Sequence, residues 1–113
     1  MRTFFLPCLF VILFSSCASK TLYDWGDYSK TSYNYYKQQT KESEEALIST
    51  YLYMINGINK KTPKVPPGAY CEYGYFLIQK GYREKGIECF KREKKNYPES
   101  TVFMDYLIKH FSE

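Results

Sequence analysis

The chain has 113 residues and a mass of 13.5 kDa, room for one domain and too little for a multidomain enzyme. Hydrophobic residues at 44% and charged residues at 25% exclude disorder by composition, and a single His excludes a His-rich metal site. The formal charge of +4 comes from 16 Lys and Arg against 12 Asp and Glu, scattered along the chain; a nucleic-acid binder gathers its basic residues on one face or arm, so no nucleic-acid partner is expected.

Residues 1–17 read as an address. Arg2 supplies a positive start, and Phe4 to Phe14 supply an apolar stretch too short for the roughly 20 residues that span a bilayer. Ser15-Ser16-Cys17 then resembles the bacterial lipobox, where small residues precede a cysteine that is acylated and becomes the new N-terminus. Phe14 departs from that pattern, which favours Leu three places before the cysteine. An ordinary signal peptide or an uncleaved anchor is the alternative. The lipobox reading makes Cys17 the lipidated residue, carrying palmitate among its acyl chains, because several chains together anchor stably. Ala18 and Ser19 follow it. In the sorting pattern of enteric bacteria Asp in that place retains a lipoprotein in the inner membrane, so its absence points to the outer membrane, with residues 18–113 as one domain facing the periplasm or the cell surface. Cys8 leaves with the signal. Cys71 and Cys89 remain, either bridged across two helices or as two small buried side chains. With no His nearby they make no zinc site, and no metal or cofactor is expected.

The remaining elements follow in order. Asp27 can cap a short helix from Tyr28 to about Gln38, with Tyr28, Ser32 and Tyr35/Tyr36 on one face. Thr40 can cap a second, Lys41 to Ile58. Its Glu42, Glu44 and Glu45 suit the positive end of the helix, and Leu47, Tyr51, Met54, Ile55 and Ile58 form an apolar stripe. Three prolines in Lys60 to Gly68 make a loop. A third helix spans Ala69 to Lys80 before Gly81, and a fourth Arg83 to Asn96. A fifth, Glu99 to Phe111, is expected to bury Phe103, Tyr106, Leu107 and Phe111. No stretch alternates like a strand. Lys91-Arg92-Glu93-Lys94-Lys95 has an acid in its middle and reads as a solvated helix face.

Tyr70 to Pro98 resembles one tetratricopeptide-type repeat. Tyr70-x2-Tyr73-Gly74-x2-Leu77, Gly86-x3-Phe90 and Pro98 stand at the repeat's spacing. Gly74 and Gly86 are small where two helices cross, Phe90 fills the space beside the crossing, and Pro98 ends the hairpin. Glu93 departs from the pattern, which has a small residue there. No second full repeat is visible upstream, and the fifth helix reads as a cap. The fold expected is all-α, about five helices, with a tetratricopeptide-like hairpin and a capping helix.

Three blocks resemble a family of small bacterial lipoproteins catalogued as a domain of unknown function: Cys17-Ala18-Ser19-Lys20-Thr21-Leu22-Tyr23-Asp24-Trp25-Gly26-Asp27-Tyr28, then Pro66-Pro67-Gly68-Ala69-Tyr70 with Tyr73-Gly74-Tyr75, then Tyr97-Pro98-Glu99-Ser100 with Phe103-Met104. The resemblance implies an outer-membrane lipoprotein, encoded beside lipoproteins similar to the curli secretion channel and a third small lipoprotein. It thereby implies a role in envelope or surface assembly, and no catalytic residue.

No catalytic set assembles. His110, the only candidate base, lies on the last turn of the last helix, where a cation is favourable. The acids stand singly beside Lys and Arg, and Gly81-x-x-x-x-Gly86 lacks the Lys-Ser/Thr of a phosphate loop. The aromatics near the anchor, Trp25, Tyr28, Tyr33, Tyr35 and Tyr36, are the candidate partner-binding residues, since a short polar segment cannot bury them all and Trp and Tyr are common interface anchors. The expected function is a non-catalytic adaptor binding an envelope protein, a curli-secretion-channel-like lipoprotein by the resemblance. The alternative is a glycan or peptidoglycan binder stacking sugars on Tyr and Trp, with Asp24 and Asp27 beside Trp25 as the acids such a site needs.

Overall fold

The computed structural model describes residues 21–113. Cys8, Cys17 and the rest of the expected signal segment lie outside the described residues. Within them the protein is all-helical: α1 (Tyr28–Gln38), α2 (Lys41–Asn56), α3 (Ala69–Gln79), α4 (Arg83–Asn96), a 3-10 turn (Pro98–Ser100) and α5 (Thr101–Ser112). Helices α1 and α2 form one antiparallel hairpin and α3 and α4 a second, with α5 packed along α4.

Each helix starts and stops for local reasons. Asp27 holds the N-cap position of α1 as expected, but its side chain makes no cap hydrogen bond; its carbonyl accepts from Thr31 N–H and Oγ1 instead. Thr40 caps α2 through a reciprocal pair, with Ser43 N–H donating to Thr40 Oγ1 and Thr40 N–H to Ser43 Oγ, both at 3.1 Å. That helix ends at Asn56, two residues short of the expected end. Ile58 therefore leaves the apolar stripe and is 97% exposed, while Leu47, Tyr51 and Met54 are buried as expected. Gly81 takes φ +93°, a conformation L side chains rarely adopt, and turns the chain from α3 into α4.

The α3–α4 hairpin closes on two glycines. A Cβ added to Gly74 would stand 2.8 Å from both Gly86 O and Cys89 Cβ; one added to Gly86 would stand 2.5 Å from Gly74 O and collide with Ile78. The two backbones thus touch where the sequence placed the crossing. Phe90, fully buried, lies beside it with Met104 and Leu107, the core that α5 closes. A second core under α1 joins Leu47, Tyr51, Met54, Ala69 and Phe76, with Tyr28 and Tyr35 packed against it.

Helix α5 is rotated relative to the expectation. Its inward residues are Met104, Leu107, Ile108 and Phe111, whereas Phe103 and Tyr106 are exposed. The reason is the i, i+3, i+4, i+7 stripe beginning at Met104, which fits the Phe90 core; Phe103 and Tyr106 stand beside that stripe.

Glu93, the departure from the repeat pattern, is 3% exposed and turned inward. Gly68 N–H donates to its Oε1 at 2.5 Å, so a carboxylate from the end of α4 caps the start of α3. Burial raises its pKa, and the N–H groups of Gly68, Tyr70 and Cys71 oppose that rise. Its Oε2 has no hydrogen-bond partner.

Gly86→Ala should lower stability by about 1–3 kcal/mol, because the added methyl meets backbone that cannot yield. A thermal melt followed at the helical band checks this, and an unchanged midpoint would refute the close crossing. A second prediction concerns pH. A carboxyl with a raised folded pKa contributes stability that is fully present below its unfolded pKa and is lost as pH rises through the folded value. Glu93→Gln removes that loss. The Tm of the variant should therefore improve relative to the natural chain as pH rises above the ordinary carboxyl range, and parallel curves would contradict the assignment.

Candidate functional site

A concavity of about 690 Å³ lies between α1, α2, α3 and α5. Helix α3 forms its floor with Cys71, Glu72, Tyr75, Phe76 and Gln79, while Tyr35 and Tyr36 of α1 and Phe103 and Leu107 of α5 form its walls. Glu44 and Tyr51 of α2 also line it, so four of the five helices face one space.

The groove has a packed layer and an open layer. In the packed layer the Tyr35 ring stands edge-on to Phe76 at 6.0 Å, and Tyr51 lies 6.3 Å from Phe76. In the open layer Tyr36 is 70% exposed, Phe103 57% and Tyr75 47%. Tyr75 is braced by Phe111 at 6.1 Å and Tyr36 by Tyr35 at 5.3 Å, both edge-on. The Tyr36 and Tyr75 rings are held by neighbours and still face outward, which is how interface anchors sit.

Charge in the groove is sparse. Lys80 donates to Glu44 Oε2 at 2.7 Å and stands 5.6 Å from the Phe76 ring centre; that hydrogen bond raises its pKa. Tyr28 Oη donates to Glu72 Oε1 at 2.7 Å. Burial raises the Tyr28 pKa, and the Glu72 carboxylate adds to the rise. Glu72 is exposed and has no cation paired with it among the described residues, so the groove is mildly acidic. Burial pushes the Cys71 thiol up to about 11, with Glu93 and Glu72 adding to it, so it stays protonated at neutral pH and is a poor nucleophile. Cys89, whose thiol burial also raises to about 11, packs on Gly74 at the crossing. Both thiols are free. The bridge considered between them is not formed, since Cys71 packs toward the Phe90 core while Cys89 is spent filling the space beside Gly74.

The five aromatics singled out from the sequence, Trp25, Tyr28, Tyr33, Tyr35 and Tyr36, do not form one surface. Tyr35 and Tyr36 reach the groove. Tyr28 packs on Tyr51 at 6.4 Å, and Trp25 covers it at 5.8 Å with Tyr23 on its other side at 6.5 Å. Tyr33 is exposed elsewhere, with Lys37 Nζ 5.4 Å from its ring centre. Tyr75, Phe103, Glu72 and Lys80 are groove residues that sequence reasoning missed. The signal for Phe103 was the helix phase that Met104 sets.

Asp24 is buried, although its neighbours Trp25 and Gly26 are not. It accepts from Tyr53 Oη at 2.6 Å, Lys61 N–H at 2.7 Å and Gly26 N–H at 3.0 Å. The Tyr53 hydrogen bond, then the two N–H groups, lower its pKa to about 2. It ties the entering chain to α2 and to the following loop. His110 lies on the last turn of α5, stacked on Tyr106 at 6.0 Å, away from any acid–nucleophile pair. Among the described residues no group of His, Cys, Asp and Glu could hold a metal ion, and no helix is long and apolar enough to cross a membrane.

The described residues therefore form an all-helical domain of two hairpins and a closing helix, with an aromatic groove lined by α1, α2, α3 and α5. A family model described as Domain of unknown function (DUF4810) matches residues 22–107, and the chain belongs to that family. No curated protein and no solved structure matches it.

The open layer makes a simple prediction. Tyr36→Ser and Phe103→Ser should each shift stability by less than about 0.5 kcal/mol, as surface changes do. Phe76→Ser, at the floor, should cost several times more, and equal losses in denaturant unfolding would place the first two in the core.

Proposed function

We propose that this protein is a lipid-anchored adaptor without catalytic activity of its own. In this reading Cys17 carries the acyl chains, the membrane is the outer membrane, and the domain binds a protein partner in envelope or surface assembly. The partner we favour is a lipoprotein similar to the curli secretion channel, which the family resemblance implies. The observation that carries the proposal is the aromatic groove: Tyr36 and Tyr75 stand braced and exposed above a packed floor, with exposed Phe103 on the facing wall. Two aromatic walls around a floor that bears the unpaired Glu72 carboxylate suit an apolar peptide segment with a Lys or Arg.

The glycan reading draws less support. It needs an acid free to bond sugar hydroxyls beside a stacking ring. Asp24 already accepts from Tyr53, Lys61 and Gly26, and the Trp25 ring is edge-on to Tyr23 and tilted against Tyr28, which leaves exposed Asp27 as the one acid free for such a site.

The test is in-cell cross-linking followed by purification from membranes and mass spectrometry. The combined Tyr36→Ser, Tyr75→Ser and Phe103→Ser variant should lose a stoichiometric protein partner that the natural chain and the Trp25→Ala variant retain. A partner kept by the triple variant would refute the groove, and recovery of glycan fragments alone would refute the adaptor.

A further inference from the structure

The run Lys91-Arg92-Glu93-Lys94-Lys95 has an acid at its centre in the sequence but not on the surface. Glu93 is spent inside, capping α3. Outside stand Lys91, Arg92, Lys94 and Lys95. Lys94 pairs with Asp105 at 2.6 Å, and Arg92 lies 3.7 Å from Glu88. Lys91 and Lys95 have no ion-pair partner among the described residues.

This strip leads to the start of the domain. Lys91, Arg92, Lys95 and Asn96 line one shallow depression on α4. Asn96 also lines the next, together with Lys64 and Tyr23. Tyr23 is fixed there, edge-on to Tyr97 at 6.5 Å, while Tyr97 Oη donates to Val65 O at 2.6 Å. The basic strip and the point where the chain enters the domain are thus adjoining surfaces.

Chain length converts that adjacency into a distance from the anchor. Five residue steps separate Cys17 from Leu22. Fully extended they reach no more than about 18 Å. Exposed Leu22 and half-exposed Trp25, residues suited to a membrane–water boundary, flank the same entry point.

We propose that Lys64, Lys91 and Lys95 form a membrane-facing strip that lies against anionic phospholipid headgroups and orients the domain. The proposal rests on the lipid anchor at Cys17 put forward above. A single tether fixes position and leaves orientation free; a basic patch within its reach fixes orientation, because anionic headgroups attract lysines close to the surface. The strip shares no residue with the aromatic groove, so a domain held this way keeps the groove free for its partner.

The experiment uses the full lipidated chain in vesicles of phosphatidylcholine, or of equimolar phosphatidylcholine and phosphatidylglycerol. Amine acetylation is read residue by residue by mass spectrometry. In the anionic vesicles Lys64, Lys91 and Lys95 should be labelled severalfold less, with Lys30 and Lys41 unchanged, and high salt should restore the labelling. Equal labelling of the three in both vesicles overturns the strip, and protection seen only in native membranes assigns it to a protein instead. Flotation with phosphatidylcholine vesicles tests the anchor separately. If the chain fails to float, the anchor reading falls. Binding to the anionic vesicles then tests the strip alone: loss in the Lys64→Gln, Lys91→Gln, Lys95→Gln variant supports it, and retention overturns it.

Discussion

The backbone contact between Gly74 and Gly86 is the constraint on which the rest of this small domain depends. Two helices that meet without side chains between them come closer than any other residue pair permits, and their ends are brought into register. That closeness lets Glu93, near the end of α4, reach the N–H groups at the start of α3. It also places Phe90 where Met104 and Leu107 of α5 can cover it. One short approach thus sets a helix cap, a core and the seat of the last helix. A domain of this size has little apolar area to spare, so such concentrated packing matters more than it would in a larger one.

A second knot governs the entering chain. Asp24 gathers a hydroxyl from α2 and backbone N–H groups from the segment before α1 and the loop after α2. It fastens residues that would otherwise be a tether. The groove is a product of both knots: α1 is held against α2 and the floor helix is held by the glycine crossing, while Lys80 and Glu44 join the two hairpins at the rim.

Much of this was legible in the sequence, for physical reasons. The five helices were readable from caps, prolines and apolar spacing, and the crossing from Gly74 and Gly86 in register with Phe90. What was not readable depended on three-dimensional competition. Phe103 and Tyr106 looked like core because they are aromatic, but Met104 and Leu107 fit the space beside Phe90 better. Glu93 looked like a surface acid because its neighbours are lysines, and only the opposing helix start shows why it turns inward. The tyrosines of the N-terminal segment could not be sorted either, since adjacent residues such as Tyr35 and Tyr36 divide between the packed and open layers, and their groove partners come from helices far along the chain.

Trp25 gives the molecule an intrinsic optical reporter. It is the only indole in the chain, and it lies wedged between the rings of Tyr23 and Tyr28, where the entering segment meets the folded body. Its emission is therefore a local gauge of that junction, with thirteen tyrosines around the domain as energy donors to it. Movement of the entering segment away from α1 would change its wavelength and quenching without any label, even while the helical signal of the domain stays constant.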